Sequence, residues 1–223
     1  MGLLEKMSDL VRGYGYDRVA QVLDEIKLAK KTDADVKLPE VGDFAFVLGK
    51  EILFAKSPMA YEKCIGVVGY VNPDVNAVAG QRALILALQE QTLLWVNDPD
   101  TNNFPHLGAT SDSGAYNTNK MMEYYMDTAQ DFPAMNYCLT YEAHGVKDWF
   151  FPSLAEMEKF HRNFWQINSA LLKIDGELLK GVYWTSTEEK TRGSFAMKYT
   201  VNSGKKSPCS KKFYFFVRAV LAV

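Results

Sequence analysis

The stretch YWTSTEEK, Tyr183 to Lys190, sets a tryptophan beside the hydroxyls of Thr185, Ser186 and Thr187 and the carboxylates of Glu188 and Glu189. Hydrolytic chemistry uses such side chains. A serine nucleophile needs a base within hydrogen-bond reach and a glycine-flanked elbow that exposes it. No such elbow surrounds Ser186, and His106, His144 and His161 are scattered along the chain. A glycosidase needs two carboxylates at a set separation; Glu188 and Glu189 are adjacent, and adjacent strand residues point to opposite faces. The stretch is expected not to be an active site. DPDTN, Asp98 to Asn102, begins like a calcium loop, but the positions that need a glycine and a closing glutamate hold Asn103 and Ala109. Cys64, Cys138 and Cys209 form no CxxC pair and no zinc-like set with histidine, and are expected to be free and mostly buried thiols. Lys211 and Lys212 beside Cys209 are the kind of neighbours that lower a thiol pKa, but this thiol has no catalytic partner. The expectation is no catalytic residue, no metal and no cofactor, with DPDTN the place where a metal would be sought.

At 223 residues and 48% hydrophobic, the chain can bury the core of one large domain. It has no run of 18 apolar residues, and its N-terminus MGLLEKMSDLVRGYG carries acidic residues. Neither membrane insertion nor a signal peptide is expected, so synthesis would be cytoplasmic. The net charge of -2 hides an asymmetry. All 27 acidic residues precede Lys190, whereas Lys190, Arg192, Lys198, Lys205, Lys206, Lys211, Lys212 and Arg218 follow from there on. A one-signed segment attracts an anionic partner. It also serves as a strand edge protected by lysine. No nucleic-acid motif accompanies the charge.

The elements that would position these residues are legible from periodicity. Leu3, Met7, Leu10 and Tyr14 mark one short amphipathic helix; Val19, Val22, Leu23 and Ile26 mark a second, capped by Asp17. A charged linker with Pro39 and Gly42 follows. Residues 1-42 therefore read as a helical N-terminal segment and linker for attachment or oligomerisation, and residues 43-223 as the ligand-binding domain. That domain starts with strand-like runs at Phe44 to Leu48, Ile65 to Val71, Ala83 to Leu88 and Leu93 to Val96. A long polar loop then delivers Asn117 or Thr118 as cap of a helix over Met121 to Met126. A helix from Pro133 to about Glu142 buries Met135, Cys138 and Leu139. Ser153 and Glu156 form a capping box for the next, with Leu154, Met157, Phe160, His161 and Phe164 on one face. A short helix over Asn168 to Leu172 leads to three strands, GVYWTST, SFAMKYTV and FYFFVRAVLAV. In the middle strand, alternation places Met197, Tyr199 and Val201 on a core face and Lys198, Thr200 and Asn202 on a polar wall. The layout is α+β.

The ordered motifs GVVGYVNP, SGAYNTNK, a helix with YC, DWFFPSLAEME, GVYWTSTE and VRAV resemble, over about Ile65 to Val220, the Lcl-type C-terminal domain family of unknown function. That family includes variable proteins of diversity-generating retroelements and phage receptor-binding proteins. The resemblance implies a C-type-lectin-like fold of mixed antiparallel sheets with two main helices. It also implies calcium-independent ligand binding, since the late sugar-binding motifs of calcium-dependent lectins are missing. Trp149, Pro152, Trp184, Ser186, Thr187, Glu188 and Arg218 match structural positions of the motifs. Glu189, Lys190, Arg192, Lys198, Thr200, Asn202, Lys206, Lys212 and Tyr214 would then face the ligand. Met197 stands where the family has tryptophan, and Phe216 where it has arginine. The implied function is a phage tail receptor-binding or variable adhesin protein that recognises a host-surface receptor, or an anionic glycan or protein. It would be virion-associated and trimerised by its N-terminal helices. The alternatives are a fold-related enzyme of the formylglycine-generating type using Cys209 or Glu188, and a structural virion protein without its own ligand.

Overall fold

The computed structural model describes residues 38–58, 60, 63–74, 76–98 and 103–223. The two N-terminal helices expected before the linker lie outside the described residues, as does most of DPDTN. Pro39 is already buried, and the Gly42 N–H donates to Val68 O at 2.8 Å.

Two five-stranded sheets carry the domain. Strands β1 (Phe44–Leu48), β2 (Glu51–Ala55), β3 (Cys64–Val71), β4 (Ala83–Ala87) and β10 (Val220–Ala222) form one, in the order β10-β4-β3-β1-β2 and antiparallel throughout. Strands β5 (Gln91–Leu94), β6 (Val182–Glu188), β7 (Phe195–Thr200), β8 (Lys205–Ser210) and β9 (Tyr214–Val217) form the other, in the order β5-β9-β6-β7-β8, with β6 and β9 parallel. Four helices lie between β5 and β6: α1 (Gly114–Thr128), α2 (Pro133–Thr140), α3 (Leu154–Arg162) and α4 (Phe164–Leu172). The architecture is α+β. No helix among the described residues is long and apolar enough to cross a membrane.

Alternating strand residues feed two cores. Ile85 and Trp184 join Trp95, Trp149, Met121 from α1 and Met135 from α2. Leu84, Leu86 and Tyr183 join Phe44, Met157 and Phe160 from α3 and Ile167 from α4. A strand covered on both faces reads as an unbroken apolar run, which is why ALILA does not alternate.

The expected helix over Met121 to Met126 starts earlier, because Ser113 is its cap and accepts from the Tyr116 N–H. Asn117 and Thr118 are buried inside it instead. The capping box at Ser153 and Glu156 has both of its reciprocal bonds, Glu156 N to Ser153 Oγ at 3.2 Å and Ser153 N to Glu156 Oε2 at 2.8 Å. Two strands escape the sequence reading. β2 (EILFA) is a short edge strand, and β8 (KKSPCS) contains Pro208, a residue that strands admit mainly at a sheet edge. The apolar run FYFFVRAVLAV is not one strand. It breaks at Arg218 and Ala219, so that β9 and β10 belong to different sheets. Their partners β5 and β4 switch sheets at the same level, at Leu88 to Glu90.

Candidate functional site

Strand β6 carries YWTSTE, and its polar side chains are spent on holding other segments. Trp184 is fully buried, its indole N–H donating to Phe213 O at 3.1 Å. The Ser186 N–H donates to Pro152 O at 2.8 Å, and the Asn117 amide donates to Ser186 Oγ at 3.3 Å. Thr187 Oγ1 accepts from the Leu154 N–H at 3.0 Å, at the start of α3. No histidine reaches Ser186. The imidazole of His161 pairs with Val201 O at 2.7 Å, and that of His106 donates from Nε2 to Glu189 O at 2.9 Å.

Glu188 and Lys211 form a fully buried ion pair, Nζ to Oε1 at 2.5 Å. Glu188 Oε2 accepts from the N–H groups of Leu107 at 2.8 Å and Ala109 at 3.2 Å. Lys211 Nζ lies 3.9 Å from the centre of the Trp95 ring and 4.5 Å from that of Phe104. Burial pushes the Lys211 ammonium down to about 8, against the opposing pull of Glu188. His106 Nδ1 lies 3.6 Å from Glu188 Oε2, with the Gly108 N–H 3.1 Å from the same ring nitrogen. The pair fastens the 104–109 segment and the β8–β9 connection to the end of β6. Lys211 therefore belongs to the interior, its ammonium held by Glu188. All three cysteines are free thiols; Cys138 is buried, while Cys64 and Cys209 are half-buried.

Arg218 is the second buried cation. It donates to Glu90 Oε2 from Nη2 at 2.6 Å and from Nε at 3.1 Å, to Glu177 O at 2.6 Å and to Ala87 O at 3.2 Å. The Tyr183 hydroxyl donates to the same Glu90 oxygen, and burial raises that phenol's pKa, with Arg218 pulling against the rise. This network sits where the β4–β5 and β9–β10 pairs cross from one sheet to the other.

Gly114 opens α1 against the WFFPS turn. A Cβ there would lie 2.4 Å from Glu156 Oε2, 2.6 Å from Phe151 O and 2.7 Å from Ser153 N. Backbone cannot retreat as a side-chain tip can, so Gly114→Ala is expected to cost about 1–3 kcal/mol in denaturant unfolding.

The nine residues expected to face a ligand do not converge. Lys190, Arg192 and Lys212 gather where Phe195 pairs with Ser210, and Thr200 and Asn202 lie at the opposite end of the β7–β8 hairpin, where Thr200 pairs with Lys205. Five residue steps separate the two ends, roughly 17 Å. Several are occupied by the protein itself. Glu189 Oε2 accepts from Thr191 and Arg192 and closes the β6–β7 turn; desolvation pushes its carboxyl up, but these donors outweigh it and hold the pKa below the usual value. The Arg192 guanidinium stacks 4.0 Å over Phe195. Lys198 lies opposite the buried Trp184, with its Nζ 4.9 Å over the Phe215 ring, so the face expected to be a polar wall carries core residues beside Lys198. Lys206 pairs with Glu158 at 2.5 Å, and Asn202 Oδ1 accepts from the Gly181 N–H at 2.7 Å. Tyr214 opens β9 opposite Leu94 and is 62% exposed; its neighbour Phe213, which the sequence reading did not single out, is 50% exposed. The basic segment thus divides into buried cations, partnered cations, and the outward-facing Lys190, Lys205 and Lys212. Lys205 and Lys206 lie on the outer strand β8 beside Pro208, as edge protection requires. Among the described residues, no three His, Cys, Asp or Glu side chains cluster to hold a metal ion.

No family model matches the chain, and no curated protein matches it. Among solved structures, the chain is similar to a fimbrial protein from Bacteroides ovatus ATCC 8483, with a TM-score of 0.62 at 18% identity. The match covers 83% of this chain and 49% of that one, so the chain spans about half the length of its neighbour. At that identity the likeness is one of fold, and the fold shared is α+β with two sheets.

Proposed function

We propose that this chain is a non-enzymatic, ligand-binding surface protein of adhesin type, with a C-type-lectin-like domain of the Lcl type over 43-223 and an attachment or trimerisation segment before it. The order of motifs along the sequence supports the family reading. The fimbrial neighbour supports a place on a cell-surface filament; the motif resemblance supports a phage tail. Both settings need a domain that presents a rigid recognition surface, and that common role is the one proposed.

The observation that carries it is the β8–β9 connection. Phe213 and Tyr214 stand exposed beside Lys212, while Lys211 of the same connection is buried on Glu188. Aromatic rings and cations on a backbone fixed from beneath bind with little ordering cost, as paratopes do. Lys190 and Arg192 lie on the adjoining β6–β7 turn, which suits an anionic glycan or acidic protein surface. Ser186, Glu188 and Lys211, the residues best equipped for chemistry, have no solvent exposure that would admit a substrate.

Replacing Lys190, Lys212 and Tyr214 together by alanine is expected to weaken adsorption to host cells, or binding on an array of acidic glycans, by about tenfold or more. Melting should stay nearly unchanged, since all three side chains are exposed. Undiminished adsorption would sink the proposal.

A further inference from the structure

Helix α4, FWQINSALL, carries no charged residue, yet only one side of it is covered among the described residues. Ile167, Ala170 and Leu171 are buried in the core, whereas Trp165 is 80% exposed and Leu172 69% exposed. These two are seven residues apart with the exposed Ser169 between them, so they line one side of the helix. A surface helix ordinarily turns charged residues outward. Two large apolar side chains flanking a small one instead make a hollow into which another helix packs. The Trp165 indole is also held in place, nearly perpendicular to the Phe164 ring with the centres 5.3 Å apart.

The point where the chain enters the domain identifies the occupant. Residues 1–37 lie outside the described ones, and the described chain begins at Leu38, which is exposed. Four residues later the backbone passes against α4: a Cβ at Gly42 would lie 3.5 Å from the O and 3.7 Å from the Cβ of Gln166, the neighbour of Trp165. The sequence before that point holds the apolar repeat Val19, Val22, Leu23 and Ile26. Its ends are seven residues apart, as are Trp165 and Leu172, so as helices the two stripes match in length at about 10 Å. The eleven residues from Lys27 to Lys37 can span up to about 35 Å, more than twice the roughly 14 Å of α4. A helix this short is marginal in water without a face to pack on, and a short tether raises the effective concentration of the segment into the millimolar range. We propose that the segment around Val19 to Ile26 docks as a helix on the outer face of α4 of its own chain, covering Trp165 and Leu172. Docked there, it sets the direction in which the preceding repeat, Leu3 to Tyr14, leaves the domain.

Acrylamide quenching of tryptophan fluorescence in the full chain tests this. The other three indoles, Trp95, Trp149 and Trp184, are buried, so a Trp165→Phe chain supplies their signal for subtraction. In wild type the Trp165 share is expected to be shielded. Val22→Glu with Ile26→Glu, which alters the segment, and Leu172→Lys, which alters the helix face at an exposed position, should each raise its quenching constant about threefold or more as the open population replaces the docked one. The shielding should persist through about a hundredfold dilution of the protein, since docking within one chain does not depend on concentration. Three outcomes overturn the proposal: Trp165 is quenched in wild type as freely as N-acetyltryptophanamide; it is as well shielded in either variant as in wild type; or the shielding is lost on dilution, which would make the cover a second copy. Because this face shares no residue with the β8–β9 connection, the adsorption and quenching experiments can fail independently.

Discussion

Replacing Glu188 by alanine is expected to remove about 3–5 kcal/mol of stability, the cost of leaving a buried charge without its partner. For a domain of this size that is a fall in Tm of roughly 10 °C. Lys211 Nζ would be left between the Trp95 and Phe104 rings with no carboxylate, and the Leu107 and Ala109 N–H groups would lose their acceptor. The reverse change, Lys211→Met, should cost clearly less. Glu188 keeps both backbone donors, and the methionine fills an aromatic pocket. The two variants also differ in their dependence on pH. The Lys211 pKa is lowered to about 8 in the folded chain from 10.5, so between those values the unfolded chain binds more protons. Stability from this group therefore rises as the pH climbs from about 8 to 10.5 and is flat below that window. Chemical denaturation of wild type and Lys211→Met at pH 7.5 and pH 10 isolates the effect, with the variant's disadvantage growing toward the higher pH. An unshifted melting curve for Glu188→Ala would show that the pair does not fasten the β8–β9 connection.

The contrast between these residues and the capping box shows what a sequence makes legible. Ser153 and Glu156 are three residues apart, and the bonds they make are dictated by the geometry of one helical turn. ALILA and FAFVL declare themselves as strands because a strand covered on both faces is apolar at every position. Asn117 and Thr118 mislead for a local reason: both are good caps, but Ser113 stands one turn earlier and Gly114 alone fits against the WFFPS turn. β8 was hidden by Pro208 and by lysines whose role is to discourage pairing on its free side. The candidate site is harder to read, because its partners are remote in sequence. Lys211 finds Glu188 23 residues away, and Arg218 finds Glu90 128 residues away. A count of charge over Lys190 to Val223 treats all the cations as one patch, whereas the fold buries two and pairs others with acids from elsewhere. One signal was present: an arginine inside the apolar run FFVRAVLAV must find an acid when that run is buried. The carboxylate it finds could not be named without the topology.

Arg218→Met is expected to cost a similar 3–5 kcal/mol, because it strands the Glu90 carboxylate beneath two sheets with only Tyr183 to support it. The loss should also be local in a way that the Glu188 loss is not. Arg218 ties Ala87 O, Glu90 Oε2 and Glu177 O to the point where β9 gives way to β10. Glu177 N in turn donates to Leu88 O at 3.0 Å, and Glu90 N donates to the Glu177 carboxylate. Cutting the arginine should therefore free the Ile174 to Glu177 loop from the β4–β5 turn before the sheets themselves open. Hydrogen exchange ought to register this as faster exchange at the Glu90 and Glu177 amides, with the β6–β7 amides far less affected. Adding Glu90→Leu to Arg218→Met should recover part of the stability, since two apolar side chains leave no uncompensated charge and only Tyr183 loses an acceptor. If the double variant were as unstable as the sum of its parts, the ion pair would not be the element that holds the crossing between the sheets. Recovery of stability with the loop still exchanging fast would separate the two roles: the charge pair would account for the cost, and the arginine's bonds to Ala87 O and Glu177 O for the position of the loop.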